Sequence, residues 1–297
     1  MIPMNPLVYC HVFVSMPVQR AVHQHIVSNI PPPFPARSPR IVKMVSVNWV
    51  DHRTFGLSMQ VYGSVSHHVM NIMGVAIMEA QYTKHIRGLL HDDECGKIII
   101  HNDLAVMLQD TESIPADIAV SLSEKKIGFR LDNADLLFVP LRKYSYWYIV
   151  VANFRDGRFE VICPFKDIAI IQSDAFNVIC KFRKVFKAVH SRSTRVDIYD
   201  MPTVFGSVSN QTNHGVFVLQ LLLAYDGKTH FHFKEEHAKP LRESITYYLC
   251  THEENELIMP EMKDIARQHH KQKVTVHLHG SQGKSFFVSC KIFSSFF

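Results

Sequence analysis

Apolar positions along the chain change period three times, and each change marks a different kind of element. Met78, Tyr82, Ile86 and Leu89 recur at helical spacing with Lys84, Arg87 and His91 available to the other face, which predicts a helix over about 76–90. Residues 110–117 read as loop. The period then shortens: residues 136–141, 147–152 and 159–163 are near-continuous apolar runs of the kind that lie mid-sheet with both faces covered. The second and third runs are joined by Asn153-Phe154-Arg155-Asp156-Gly157-Arg158, whose Asp-Gly supplies the positive φ of a hairpin turn. Helical spacing returns over Ser173 to His190, where Phe176, Ile179, Phe182, Val185, Phe186 and Val189 oppose Lys181, Arg183, Lys184 and Lys187, with a Ser/Asp start. A strand at about Arg195 to Tyr199 is expected next. Gly215 to Tyr225 is apolar almost all round and stops at Asp226-Gly227, which reads as a buried helix, and Lys239 to Cys250 supports another.

Together these elements predict an α+β fold, a central mixed sheet from about residue 136 to 200 flanked by helices. Ile30 to Arg40 holds five prolines in eleven positions, and proline removes a donor and fixes φ, so residues 1–40 are expected to be a flexible, proline-rich leader. Residues 41–255 then form the domain, with a mainly helical lobe over 41–130 and a sheet and buried-helix core over 131–255; the tail, 256–297, carries no assignment.

Composition narrows the class. At 297 residues with 47% hydrophobic and 20% charged content, the chain can bury a full core. A net charge of +5 permits an acidic partner without the concentrated basic face of a dedicated nucleic-acid binder. The six cysteines, Cys10, Cys95, Cys163, Cys180, Cys250 and Cys290, form no CxxC pair, which argues against a disulfide framework or a zinc ribbon. No secretory signal and no run long enough to span a membrane is evident, so an intracellular protein of nucleus or cytoplasm is expected, with no membrane partner. The sequon Asn210-Gln211-Thr212 then carries no weight.

Several short motifs occur in an ordered series: Tyr146-Trp147-Tyr148-Ile149-Val150-Val151-Ala152-Asn153-Phe154, then Phe159-Glu160-Val161-Ile162-Cys163-Pro164, then the segment from Val208 through Asn213-His214-Gly215-Val216-Phe217-Val218-Leu219, then Tyr225-Asp226-Gly227, Leu241-Arg242 and Asn255. This series resembles the catalytic half of the ubiquitin-like-modifier (SUMO-type) cysteine proteases, papain-like peptidases that include a plant branch often carried by transposable elements. Trp49-Val50-Asp51-His52 resembles an N-terminal element of that branch. The resemblance runs from about Asn48 to Asn255.

What the resemblance implies for chemistry is loss. In the family a catalytic histidine immediately precedes the tryptophan, an aspartate ends the next strand, a glutamine helps form the oxyanion hole, and a cysteine before the glycine is the nucleophile. Those places hold Tyr146, Cys163, Val208 and His214. A cysteine protease needs a thiolate stabilised by an imidazolium and a helix terminus. An acyl-imidazole route through His214 lacks a base and an orienting third member, a phenol is a poor base at neutral pH, and valine donates nothing to an oxyanion. The expected function is a catalytically inactive protease-like domain that retains modifier or protein binding. The family's tryptophan roofs a tunnel for the modifier's Gly-Gly tail, which makes Trp147 the binding candidate, alongside the plainer reading of a core aromatic on a central strand. Two alternatives stay open: an active cysteine-type peptidase cleaving ubiquitin-like modifiers through a non-standard site such as a Cys163–His214 dyad, and a nucleic-acid-associated protein.

Other clusters weigh less. His230 with His232, and His277 with His279, share faces if their segments are strands, yet no third ligand stands at zinc spacing, so neither a metal nor a cofactor is expected. The basic face of Lys181, Arg183, Lys184 and Lys187, continued by Arg192 and Arg195, reads first as solvated. His67-His68 and His269-His270 read as surface polar positions.

Overall fold

The computed structural model describes residues 15–33, 38–44, 48–86, 96–127, 130–164, 169–190, 197–207, 213–228, 231–265 and 267–268. The first element among the described residues is a helix, α1 (Pro17–Ser28), followed by an antiparallel pair, β1 (Arg40–Met44) and β2 (Asn48–Asp51). Next come α2 (His52–Met59), α3 (His67–Ile86), β3 (Lys97–Ile99), α4 (Asn102–Gln109), α5 (Pro115–Ser121) and the single turn α6 (Glu124–Ile127). The central run is β4 (Leu136–Lys143), β5 (Tyr146–Asn153), β6 (Arg158–Cys163), α7 (Ala169–Val189) and β7 (Thr203–Ser207); α8 (His214–Ala224) and α9 (Glu235–Thr251) follow.

Five strands form the central sheet in the order β3-β4-β5-β6-β7, with the outer pairs parallel and the inner two antiparallel. Side-chain alternation sorts the three long strands onto two faces. Leu136, Phe138, Trp147, Ile149, Val151 and Ile162 join a core with α3, α8 and α9. Leu137, Val139, Tyr148, Val150, Phe159, Val161 and Cys163 join a second core beneath α4, α5 and α7. Both faces are covered, which is why the strands read as continuous apolar runs. Pro140 is tolerated inside β4 because β3 pairs only as far as Phe138, so the missing N–H faces no neighbour strand.

The β5–β6 hairpin turns at Gly157, φ +64°. Gly227, φ +85°, ends the segment after α8, and a Cβ there would lie 3.1 Å from the Asn153 side chain and 3.2 Å from Leu136. Ahead of it the Tyr225 hydroxyl donates to the buried Glu160 carboxylate, which also accepts from Asn153 (2.9 Å) and Arg158 (2.7 Å). The Tyr-Asp-Gly segment is thereby fastened to β6.

Several expectations need correction. The leader is not uniformly loose: α1 starts at Pro17, its N-cap N–H is taken by the Gln19 side chain at 2.7 Å, and Val22 and Ile26 are fully buried as α1 packs along α9. The helix expected at 76–90 begins at His67, where the Ser66 hydroxyl accepts from Val69 N–H at 3.3 Å. Helix α7 begins before Ser173, and Asp174, read as part of its start, is instead a core acceptor for Tyr148 (2.5 Å) and Gln109 (2.6 Å). Of the strand expected at 195–199, the described part, 197–199, is instead drawn into a turn as Asp197 captures Tyr199 N–H at 3.0 Å, and a strand follows at Thr203–Ser207.

Candidate functional site

At the N-terminal end of β5 three elements converge. The turn between β4 and β5 holds Tyr144 at φ +54° and pairs Arg142 directly with Trp147. His214 is the first residue of α8, and its ring stands 5.3 Å from that of Tyr146. The main-chain N–H of Trp147 donates to His214 Nδ1 at 3.1 Å. A ring nitrogen that accepts carries no proton, so the neutral imidazole bears its hydrogen on Nε2. Burial, reinforced by the charges of Arg142 and Arg242, brings the pKa of His214 down to about 4 and keeps the ring neutral.

Trp147 is fully buried. Its indole Nε1–H donates to Val65 O at 2.9 Å, His67 stands edge-on to it at 5.0 Å, and the Arg142 guanidinium lies 5.9 Å from its ring centroid. Gly215 completes the enclosure: a Cβ there would fall 2.8 Å from Val65 and 3.0 Å from the Trp147 ring. Near the buried indole, Arg142, Tyr146 and His214 are each half-exposed, with Tyr146 packed toward the α7-side core.

Arg242 ties this corner together from α9. It is buried, and its guanidinium donates to Ser58 O, to Gly63 O at 2.8 Å and to Asn213 Oδ1 at 2.7 Å, while Asn213 donates in turn to Glu235. The loop before α3 and the residue before α8 are thus clamped to one side chain. Burial lowers its pKa to about 10, which leaves it charged at neutral pH.

Of the residues singled out from sequence, Tyr146, Trp147 and His214 come together here. Cys163 lies on the α7 face of β6, 1% exposed among Val161, Ile179 and their neighbours. There it packs as a small apolar group, and with Nδ1 of His214 already engaged, a Cys163–His214 dyad finds no support. Val208 lies outside the described residues, as do His230, His277, His279, Arg192 and Arg195. Among the described residues no group of three or more His, Cys, Asp or Glu side chains is placed to hold a metal ion. The basic face of α7 is partly spent on protein contacts: Lys181 donates to Asp110 O, and Arg183 to Ile198 O at 3.2 Å and Met201 O at 2.6 Å. No helix among the described residues is long and apolar enough to cross a membrane.

Sequence reasoning missed Arg142, the clamping role of Arg242 and the role of His67, which is not simply a surface residue: its Nδ1 donates to Asn102 Oδ1 while its ring packs on Trp147. Arg142 had no clear local signal, since the Tyr144-Ser145 turn that sets it opposite Trp147 carries no glycine or asparagine.

A mixed five-stranded sheet with helices on both faces, and a buried helix whose first residue meets the start of a central strand, is the fold of Ulp1-type SUMO protease catalytic domains. The chain superposes on the C-terminal Ulp1 protease domain solved in complex with SMT3, the yeast ortholog of SUMO, with a TM-score of 0.62 at 9% identity, over 80% of this chain and 97% of that one. The SUMO protease Ulp1 with its catalytic cysteine oxidised to a sulfenic acid gives 0.60 at 10% identity, over 80% and 94%. The Ulp1-like SUMO protease catalytic domain of Chaetomium thermophilum gives 0.56 at 13% identity, over 87% and 98%. No family model and no curated protein sequence matches the chain.

Proposed function

We propose that this chain is a SUMO-protease-like domain that does no peptide hydrolysis and serves as a binding module for a ubiquitin-like modifier. The observation that carries the reading is the state of His214. At the head of the buried helix, where the resemblance expects a nucleophilic sulfur, stands an imidazole that is neutral, engaged at Nδ1 by a main-chain donor, and beside a tyrosine instead of a second imidazole. That arrangement supplies neither a thiolate nor a base for one. The loss-of-chemistry reading of Tyr146, Cys163 and Val208, and the plant-branch likeness, belong to the same proposal.

Binding is supported by the fold shared with a domain solved in complex with a SUMO ortholog, and by three half-exposed side chains, Arg142, Tyr146 and His214, gathered at the start of β5. Because Trp147 is buried, its truncation would test the core as much as the partner, so Tyr146 is the better probe.

A SUMO carrying an electrophilic C-terminus is expected to leave the protein unlabelled; labelling that disappears in Cys163→Ser would establish an active peptidase instead. Calorimetric titration with unmodified SUMO is expected to give saturable binding that weakens in Tyr146→Ala, and absence of binding up to roughly millimolar modifier would reject the module.

A further inference from the structure

A cleft of about 700 Å³ opens between α1, the turn after α2 and α9, and Arg20, His23, Gln60, Val61, Lys239 and Glu243 line it. Helical spacing makes it: Arg20 and His23 stand one turn apart on α1, and Lys239 and Glu243 one turn apart on α9, so each helix brings two polar side chains to the same opening. Glu243 is only 4% exposed, and leaving a buried carboxylate half-satisfied is costly. The Ser15 hydroxyl donates to one of its oxygens; among the described residues the other has no donor, and no cationic side chain stands within ion-pair distance. His23 does not supply the missing charge, since burial lowers its pKa and its Nε2–H is committed to Met59 O at 2.9 Å. Arg20 and Lys239 are exposed, and neither side chain has a hydrogen-bond or ion-pair partner among the described residues. One cleft thus holds an incompletely satisfied carboxylate and two unspent cations that do not meet it.

We infer that this cleft binds a small zwitterion, an α-amino acid or a short peptide free at both ends: the ammonium group goes to Glu243 and the carboxylate to Arg20 and Lys239. The three charges select against simpler ligands. A plain anion would meet the Glu243 carboxylate, a plain cation would meet two like charges, and each would leave part of the cleft unpaired. A zwitterion satisfies both signs, and each of its contacts is a charge-assisted hydrogen bond. The volume lies within the range of small-molecule sites, and Val61 offers an apolar surface to the ligand's side chain. The cleft is built largely by α1, which precedes the stretch that resembles the proteases, and it shares no lining residue with the corner at β5 where modifier binding is proposed.

The test is ligand-observed NMR titration of the whole chain with L-alanine and L-alanyl-L-alanine, beside the N-acetyl form of each, which lacks the ammonium group, and the C-terminal amide of each, which lacks the carboxylate. At least one of the two zwitterions is expected to saturate with a Kd of about 1 mM or below, and its two blocked forms to bind about tenfold more weakly or worse. Arg20→Ala combined with Lys239→Ala, both at exposed positions, should remove the preference over the amide while keeping that over the N-acetyl form; Glu243→Gln should do the reverse. No saturation by either zwitterion up to about 50 mM, or a blocked form that binds as tightly as its parent, would overturn the site. So would a preference over the amide that survives in the Arg20 and Lys239 double variant. If Glu243→Gln fails to fold, the N-acetyl forms on the unaltered protein decide the Glu243 contact.

Discussion

The Trp147 main-chain N–H holds His214 Nδ1 at 3.1 Å, and this one hydrogen bond decides what the head of α8 can do. Trp147 lies beyond the end of the β5–β6 pairing, which starts at Ile149, so its N–H is available to an imidazole, which selects the Nε2–H tautomer and turns the ring's remaining nitrogen into a donor.

The His214 ring is expected to stay neutral through the physiological range. Nitrogen-detected NMR should show Nδ1 unprotonated at pH 7 and titration only near pH 4. The unfolded chain protonates this residue near its ordinary 6.5, so the stabilisation is complete above that value and is lost as pH falls from there toward 4. In His214→Asn, urea melts between about pH 7 and about pH 4.5 should show a shallower decline. An unchanged slope would mean that burial does not act on this ring.

Arg242→Gln is expected to lower stability by about 2–4 kcal/mol, since it strips a charged donor from Ser58 O, Gly63 O and Asn213 Oδ1 in a dry environment. Denaturant unfolding measures it. A loss under about 0.5 kcal/mol, the size of an ordinary surface substitution, would show that the clamp is not formed.

Gly215→Ala should cost about 1–3 kcal/mol by overpacking, because the new methyl group would press on Val65 and on the indole. Trp147 fluorescence should shift at the same time. Neutral behaviour would mean that the Val65 loop yields freely.

Tyr225→Phe is expected to cost about 1–3 kcal/mol, since the buried Glu160 carboxylate loses a hydroxyl donor. Equilibrium unfolding is again the readout. The double change Tyr225→Phe with Glu160→Gln should recover part of the loss.

Tyr146→His combined with His214→Cys would place an imidazole and a thiol where rings now stand 5.3 Å apart. Iodoacetamide labelling of residue 214, read by peptide mass spectrometry, should be faster in the double variant than in His214→Cys alone, because a neighbouring imidazole stabilises the thiolate. Equal rates would show that the two positions do not meet in solution.

The sheet was readable because its three long strands are apolar on both faces and one turn carries Asp-Gly. Helix starts were less readable: Ser66 and Asp174 are both ordinary cap residues, and only packing shows that the first caps α3 while the second is a core acceptor. The strand at 203–207 escaped because its neighbour Asp197 made an equally apolar stretch turn. Within the site, the family resemblance placed Tyr146, Trp147 and His214 as candidates, but burial of the indole depends on Val65, His67 and Gly215 arriving from other segments. Arg142 went unread because the turn that sets its register is made by Tyr144 at φ +54°, without the glycine or asparagine that usually announces such a turn.

Helix α1 is joined to the domain twice, once by covalent chain through the proline-rich stretch and once by its own contacts. Val22 and Ile26 are buried, His23 donates to Met59 O and His52 to Ile26 O at 2.9 Å each, and Ser15 reaches Glu243 on α9. The covalent link does no more than raise the local concentration of a ligand that already fits. A protease cut among residues 31–37 should therefore leave a nicked but associated pair, in which the first helix behaves as a bound peptide that only denaturant releases.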